Sequence, residues 1–373
     1  MRLLAFYLPQ FHEIPENNDA WGKGFTEWTN TKKSRPLYKG HYQPREPLND
    51  NYYDLMDPKV MEWQSELAIS YGVGGFVYYH YWFNGKKLLE KPVEQMLNNL
   101  NIKIPFCFAW ANSAWTKTWH GAGGKNEILM RQTYGTEKDW KEHYEYFRQF
   151  FHDERYILVD NKPMLLIYRM KEVRKREQMF KVWNMLAKQD GFDGMFIVDM
   201  LAFKETTNSK YINATADYEP GKALIRGQYD NLAQMVKRYI RQMLQNQREN
   251  YGVLNKIVAN KYSYDRINKN MLKIPHKKNE FRGICVGYDD SPRQKIRASI
   301  VTGVTPQKFQ KYLYQIIVKS KEEENEFVFI NAWNEWGESA YLEPDKKYGY
   351  QYLEAIKRAM KEAAENDTSL LRK

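Results

Sequence analysis

Short apolar runs alternate with amphipathic stretches from one end of the chain to the other. Eight runs read as strands: Leu3–Tyr7, Gly75–Tyr79, Pro105–Trp110, Met164–Tyr168, Met195–Met200, Ala214–Tyr218, Gly283–Tyr288 and Phe327–Ala332. Several are continuously apolar, as strands buried on both faces should be. Helical patterns separate them. Asp57-Pro58 opens a helix over 58–71 and Thr305-Pro306 one over 306–319. Each start is a capping side chain followed by proline at the first helical position. Further helices are predicted over 88–99, 136–151, 171–189, 231–247 and 351–364. Strand alternating with helix is the signature of a parallel sheet, and eight such units predict an α/β fold of the (β/α)8 TIM-barrel type. A doubly wound sheet is the alternative. It needs a glycine-rich phosphate loop after the first strand, and LPQFHEIPENN lacks one. Two long βα loop insertions interrupt the pattern, at about 9–57 and 249–281. No linker, repeat or low-complexity run divides the chain, which predicts a single catalytic domain over 1–373.

Charge and cysteine usage narrow the classes. The 373 residues carry a formal net charge of +11, but the basic residues are dispersed and no nucleic-acid motif accompanies them. An anionic substrate, or peripheral association with an anionic membrane surface, fits the charge better than nucleic acid. No run approaches membrane-spanning length, so no membrane insertion is expected. The chain starts directly on a strand with no leader-like segment, which predicts a cytoplasmic setting. Cys107 and Cys285 lie in separate apolar runs and read as core residues. No Cys/His ligand spacing and no phosphate loop occur, so neither a metal nor a cofactor is expected.

The candidate chemistry is densest at 327–344, FVFINAWNEWGESAYLEP. A strand delivers Glu335 and Glu338, with Trp333, Trp336 and Tyr341 around them. Paired carboxylates beside aromatic faces are what cleavage or transfer of a glycosidic bond requires. Residues three apart share a face only in a helical turn, so the chain must turn just after the strand, at Trp336-Gly337. The other strand ends add Tyr7, Gln10 and His12; His80 and Trp82; Asn112 and Trp115; Glu219; Asp289, with Arg293 close by; and Asn334. These, with Trp21 of the first insertion, are the predicted substrate-binding groups. Trp119, His120, Asp199, Asp217 and Asp290 are also near strand ends. In a barrel of this kind chemistry occupies the C-terminal strand ends. Amides, carboxylates and indoles gathered there would hold a carbohydrate substrate by its hydroxyls and ring face.

Four blocks carry a resemblance. YLPQFHEIPENNDAWGKGFTEWTN (7–30), YYHYWFNGKKLLEKP (78–92), FAWANSAWTKTWHG (108–121) and INAWNEWGESAYLEPD (330–345) resemble the WbsX family. Its members are usually labelled glycosyltransferases of bacterial surface-polysaccharide clusters, including O-antigen and capsule. That family in turn is similar to glycoside hydrolase family 99, retaining (β/α)8 enzymes with a Glu-x-x-Glu pair after the last strand. The resemblance implies that Glu335 takes the place of the base for the sugar 2-hydroxyl. Glu338 takes that of the general acid/base on the leaving oxygen, with a 1,2-anhydro sugar between the two steps. It implies no enzymic nucleophile, metal or nucleotide. The third block departs from the usual WANENWTRRWDG at Ser113, Ala114, Thr118 and His120, so subsite contacts there differ. A retaining glycoside hydrolase or transglycosidase is the leading expectation. A nucleotide-sugar glycosyltransferase and a non-catalytic carbohydrate-binding protein are the alternatives.

Overall fold

A computed structural model describes residues 1–116, 127–202, 207–226, 260–295 and 298–370. The barrel strands are β1 (Arg2–Tyr7), β2 (Gly75–Phe83), β3 (Phe106–Trp110), β4 (Lys162–Ile167), β5 (Phe196–Met200), β6 (Ile212–Ala216), β7 (Glu280–Cys285) and β8 (Phe327–Asn331). Each pairs in parallel with the next, and β8 pairs in parallel with β1, in register Arg2 to Phe327. The sheet is therefore closed, and the fold is a (β/α)8 barrel. The interior is filled by rings: Phe6 stacks on Tyr79 and on Phe329, both at 5.8 Å between centroids.

The predicted helix starts hold. Asp57 accepts from the Lys59 N–H to cap Pro58–Ser70, and Thr305 accepts from the Lys308 N–H at 3.2 Å to cap Pro306–Glu322. Thr136 and Asp139 form a reciprocal capping box on Glu137–Phe151. Lys91–Asn98 and Arg176–Gln189 begin three and five residues later than predicted. In the first case residues Lys86–Leu88 instead pair antiparallel with the end of β2. The connection between β5 and β6 contains no helix among its described residues. The expected helix over 231–247 lies outside the described residues.

The first insertion contains two short helices, Pro15–Trp21 and Glu27–Lys33. The described part of the second adds a strand, Asn260–Ser263, that pairs in parallel with Ser299–Thr302 between β7 and β8. Both insertions thus reach the side of the barrel where β7 and β8 end. Cys107 and Cys285 are buried free thiols. No described helix is long and apolar enough to cross a membrane.

Candidate active site

Beyond β8 the chain is held in place before it turns. The Asn334 side chain accepts from the Leu8 N–H at 2.7 Å and donates to the Leu8 carbonyl at 3.0 Å. Asn334–Glu335 then pairs antiparallel with Ala340–Tyr341, and Trp336–Glu338 between them form one 3-10 turn. Ser339 closes it at φ 51°. That turn satisfies the spacing requirement, and both glutamates reach the same cation.

The cation is Arg293. Its guanidinium donates to Glu338 Oε1 at 2.6 Å and to Glu335 Oε2 at 3.2 Å. It also donates, through Nε at 3.1 Å and a terminal nitrogen at 2.8 Å, to Glu27 Oε1. Glu27 comes from the first insertion, in the GFTEW stretch, and is fully buried. Gly337 leaves the room for it. A Cβ there would lie 1.6 Å from Glu27 Oε1 and 2.9 Å from Arg293 Nε, so only glycine lets the three elements meet.

Three carboxylates around one guanidinium leave an excess of buried acid. Burial pushes Glu335 well above the ordinary glutamate range; the Glu338 charge adds to the push, and Arg293 opposes it. Burial also raises Glu338 and Glu27, again against the pull of Arg293. Glu335 and Glu338 are close enough to titrate as a pair.

Both acids line a cavity of about 300 Å³. Its walls are aromatic: Tyr79, Tyr81, Tyr168, Tyr218, Tyr288 and Trp115. Trp115 stacks on Tyr81 at 5.5 Å, and the Tyr79 hydroxyl meets that of Tyr218 at 3.0 Å. Gln10 and Asp290 add polar groups. Burial pushes Asp290 up to about 7, with the Glu338 charge adding to it against a hydrogen bond from the Ser299 N–H.

Of the residues singled out from the sequence, Glu335, Glu338, Gln10, Trp115 and Asp290 line this cavity, as do Ser113 and Ala114 of the third block. The others have different partners. The Tyr7 hydroxyl donates to Gln64 Oε1 at 2.6 Å, in the layer between β1 and helix Pro58–Ser70. His12 is buried with Nδ1 against the Pro9 carbonyl at 3.0 Å. Trp21 packs on Phe25 and is not among the cavity walls. His80 and Trp82 point outward to His143 of helix Glu137–Phe151, at 2.9 Å between nitrogens and 4.4 Å between stacked rings respectively. Asn112 ties β3 to β4 by exchanging hydrogen bonds with the Arg169 backbone at 2.7 and 3.0 Å. Glu219 accepts from the Ala223 N–H at 3.1 Å. Asp289 accepts from Gln43 and pairs with His41, both at 2.7 Å. Asn334 is the clamp already described. Trp333, Trp336 and Tyr341 are buried around the loop and do not present free faces. Asp217 pairs with Lys222 and with His276, the latter at 2.8 Å. Thr118, Trp119 and His120 lie outside the described residues.

The physical reason for most of these differences is strand alternation. Successive side chains face opposite sides of a strand. In β2 the inward set is Tyr79, Tyr81 and Phe83, so His80 and Trp82 must face out. Beyond β7 the same offset puts Asp290 in the cavity and Asp289 behind it. The sequence reading does not single out Glu27, nor the inward Tyr79, Tyr168 and Tyr218. A single inward anchor on each strand would have found the tyrosines by counting in twos.

Comparison with known proteins agrees with this architecture. A family model described as glycosyltransferase WbsX matches residues 3–356. Two uncharacterized proteins named WxcX, from two strains of Xanthomonas campestris pv. campestris, are each 32% identical over 373 residues, 99% of this chain and 51% of theirs. The chain thus spans about half the length of the curated relatives it matches. A glycoside hydrolase family 99 endo-α-mannosidase from Bacteroides thetaiotaomicron, solved with bis-tris propane, superposes with a TM-score of 0.56 at 12% identity, covering 99% of this chain and 98% of that one. A glycoside hydrolase-like protein superposes with a TM-score of 0.54 at 11% identity, covering 96% and 93%. At such identities the likeness is one of fold. By the match over nearly its whole length, the chain belongs to the WbsX family.

Proposed function

We propose that the chain is a retaining glycosidase or transglycosidase acting on a bacterial surface polysaccharide or its precursor. The observation that carries this reading is the Glu335–Arg293–Glu338 arrangement in an aromatic-walled cavity. In the first step Glu335 takes the proton of the sugar 2-hydroxyl, and the 2-oxygen attacks the anomeric carbon. The bond from that carbon to the leaving oxygen breaks, and Glu338 gives its proton to that oxygen. In the second step Glu338 takes a proton from water or an acceptor hydroxyl, which attacks the anomeric carbon. The 1,2-anhydro ring opens, and Glu335 returns the proton to the 2-oxygen. Trp115 and the inward tyrosines supply stacking faces, and Gln10 a hydrogen-bonding amide.

The electrostatics add a condition. Burial raises both acids and both lie on the same guanidinium, so they titrate as a pair. The reaction needs one proton, on Glu338, and none on Glu335. A carboxylate raised by burial is a stronger base than a free one, which suits a weakly acidic hydroxyl. Only the singly protonated pair is productive, so the rate should follow a bell-shaped pH profile.

The family's description favours a second reading, transfer from a nucleotide sugar. Assay of the purified protein in EDTA separates the two. Cleavage or transglycosylation of oligosaccharides with retention supports the glycosidase reading. Metal-dependent transfer from a UDP- or GDP-sugar, with no action on oligosaccharides, overturns it.

A further inference from the structure

A second cavity, of about 480 Å³, shares Tyr288 as a wall with the first. Its charge balance differs. The charged residues lining the first cavity are acids, Asp290, Glu335 and Glu338, with Arg293 bound to the two glutamates. The second is lined by three cations, Arg45, Lys261 and Lys347, against one acid, Asp289, together with the rings of Tyr38, Tyr42 and Tyr348.

Cations and rings are interleaved. The Lys261 ammonium lies 3.3 Å from the Tyr38 centroid. The Arg45 guanidinium lies 4.1 Å from the Tyr42 centroid, and the Lys347 ammonium 4.4 Å from the same ring and 4.9 Å from Tyr348. Ring faces stabilise these cations without using up their N–H donors. The nearby acids are already engaged by other donors. Asp289 is held by His41 and Gln43, and Asp345 by the hydroxyls of Tyr42 and Tyr341 and the Tyr348 N–H. Lys346, next in sequence to Lys347, pairs with Glu46 and Asp50, whereas Arg45, Lys261 and Lys347 have no carboxylate within ion-pair distance among the described residues, and the Asp289 charge acts on Arg45 from farther off. The Arg45 Nε is buried with its hydrogen-bonding capacity unused. The wall is also braced: Tyr38 stacks on His41 at 4.6 Å and 9°, and His41 is fixed by Asp289.

Three like charges facing one cavity repel each other, and an anion between them relieves that repulsion. A guanidinium grips a carboxylate or phosphate through two donors, and ammonium groups add point charges. The cavity volume exceeds what a bare oxyanion needs. It leaves room for a sugar ring, with Tyr288 and Tyr352 as further walls. We propose that this cavity is a second saccharide site, taking a sugar residue that bears a carboxylate or a phosphate ester.

The proposal does not rest on catalysis in the first cavity and is tested by binding alone. Saturation-transfer NMR titrations would compare glucuronic acid, glucose 1-phosphate, glucose and inorganic phosphate on wild-type protein. At least one of the two charged sugars should bind tenfold or more tighter than glucose and weaken as salt rises. That binding should fall tenfold or more in Lys347→Gln, an exposed position whose change leaves the fold intact, and further in Arg45→Gln. Glu335→Gln should leave it unchanged. Equal binding of charged and neutral sugars, or no loss in either cation variant, overturns the proposal. Inorganic phosphate binding as tightly as the charged sugars overturns the saccharide part. Loss in Glu335→Gln but not in Lys347→Gln would seat the sugars in the first cavity and also overturn it, while leaving the catalytic reading standing.

Discussion

The loop after β8 buries two kinds of glutamate. Glu343 accepts from Trp336 Nε1 at 2.6 Å, from the Tyr53 hydroxyl at 2.9 Å and from Gln64 Nε2 at 2.7 Å. It ties the loop to the first insertion and to helix Pro58–Ser70. Glu335 and Glu338 instead share Arg293 with Glu27 and open on a cavity. Burial raises all of them; Glu343 is pushed to about 7 by desolvation, against the pull of its donors. A raised carboxyl is therefore no mark of catalysis by itself. What differs is the company. Fixed neutral donors occupy the Glu343 oxygens, so its proton has nowhere useful to go. Glu335 and Glu338 instead share one cation as like charges, and in the proposed reaction the cavity brings a substrate to their proton.

The largest effects are expected at the pair itself. Glu338→Gln removes the acid for the leaving oxygen and should cost ~10²–10⁴-fold on substrates with poor leaving groups. An activated aryl or fluoride glycoside should keep much of its first-step rate. Glu335→Gln should be rescued by no leaving group, and 2-deoxy substrates should be inert even with the wild-type protein. Equal rescue of both variants would reverse or abolish these role assignments. Glu343→Gln tests the other side. An amide NH2 would face the Trp336 and Tyr53 donors, leaving a buried donor unsatisfied at a cost of about 1–3 kcal/mol. Denaturant unfolding should show that loss, while kcat per folded molecule stays within a few-fold of wild type. A large kcat loss at unchanged stability would move Glu343 into the catalytic class.

Glu27→Gln sharpens the contrast with a smaller effect. The Glu27 charge raises Glu335 and competes for Arg293. Removing it should lower the titration of the coupled pair, so the bell-shaped rate profile moves to lower pH. A merely structural Glu27 would reduce the rate and the melting temperature but leave the profile in place.

The sequence made the barrel legible because strand and helix periods are local signals. All eight predicted runs coincide with barrel strands, to within a few residues at their ends. The Glu335–Glu338 turn was legible for the same reason: spacing and glycine content describe a turn by themselves. The face of each strand was not. His80 and Tyr81 are adjacent, equally plausible as sugar contacts, and only the closed barrel decides which looks inward. Glu27 was hidden for a different reason. Its role depends on Arg293 and Gly337, more than 260 residues away, and nothing local to GFTEW marks it. Asn112 and Asn334 show the reverse error, since polar side chains at strand ends served to bind the backbone of the neighbouring strand or loop.

Asp290 is an acid in the same cavity but outside the Arg293 cluster. Burial raises it to about 7, so it is a carboxyl that the folded state prefers neutral. Its folded value lies above the unfolded value of ~3.9. The sign follows: the stability it contributes is fully present below the unfolded value and is lost as pH rises through about 7. Asp290→Asn removes that loss. The amide oxygen can still accept from the Ser299 N–H, which Asp290 holds at 2.7 Å, and the amide nitrogen can face the Tyr288 hydroxyl. The variant should therefore melt higher than wild type at pH 8, by a few °C at most, with the difference shrinking as pH falls below about 7 and closing only near the unfolded value of ~3.9. Calorimetry across that range decides it. A difference that stays constant from pH 8 down to about pH 4, or a variant less stable at pH 8, would mean that the folded state does not favour the neutral form of Asp290.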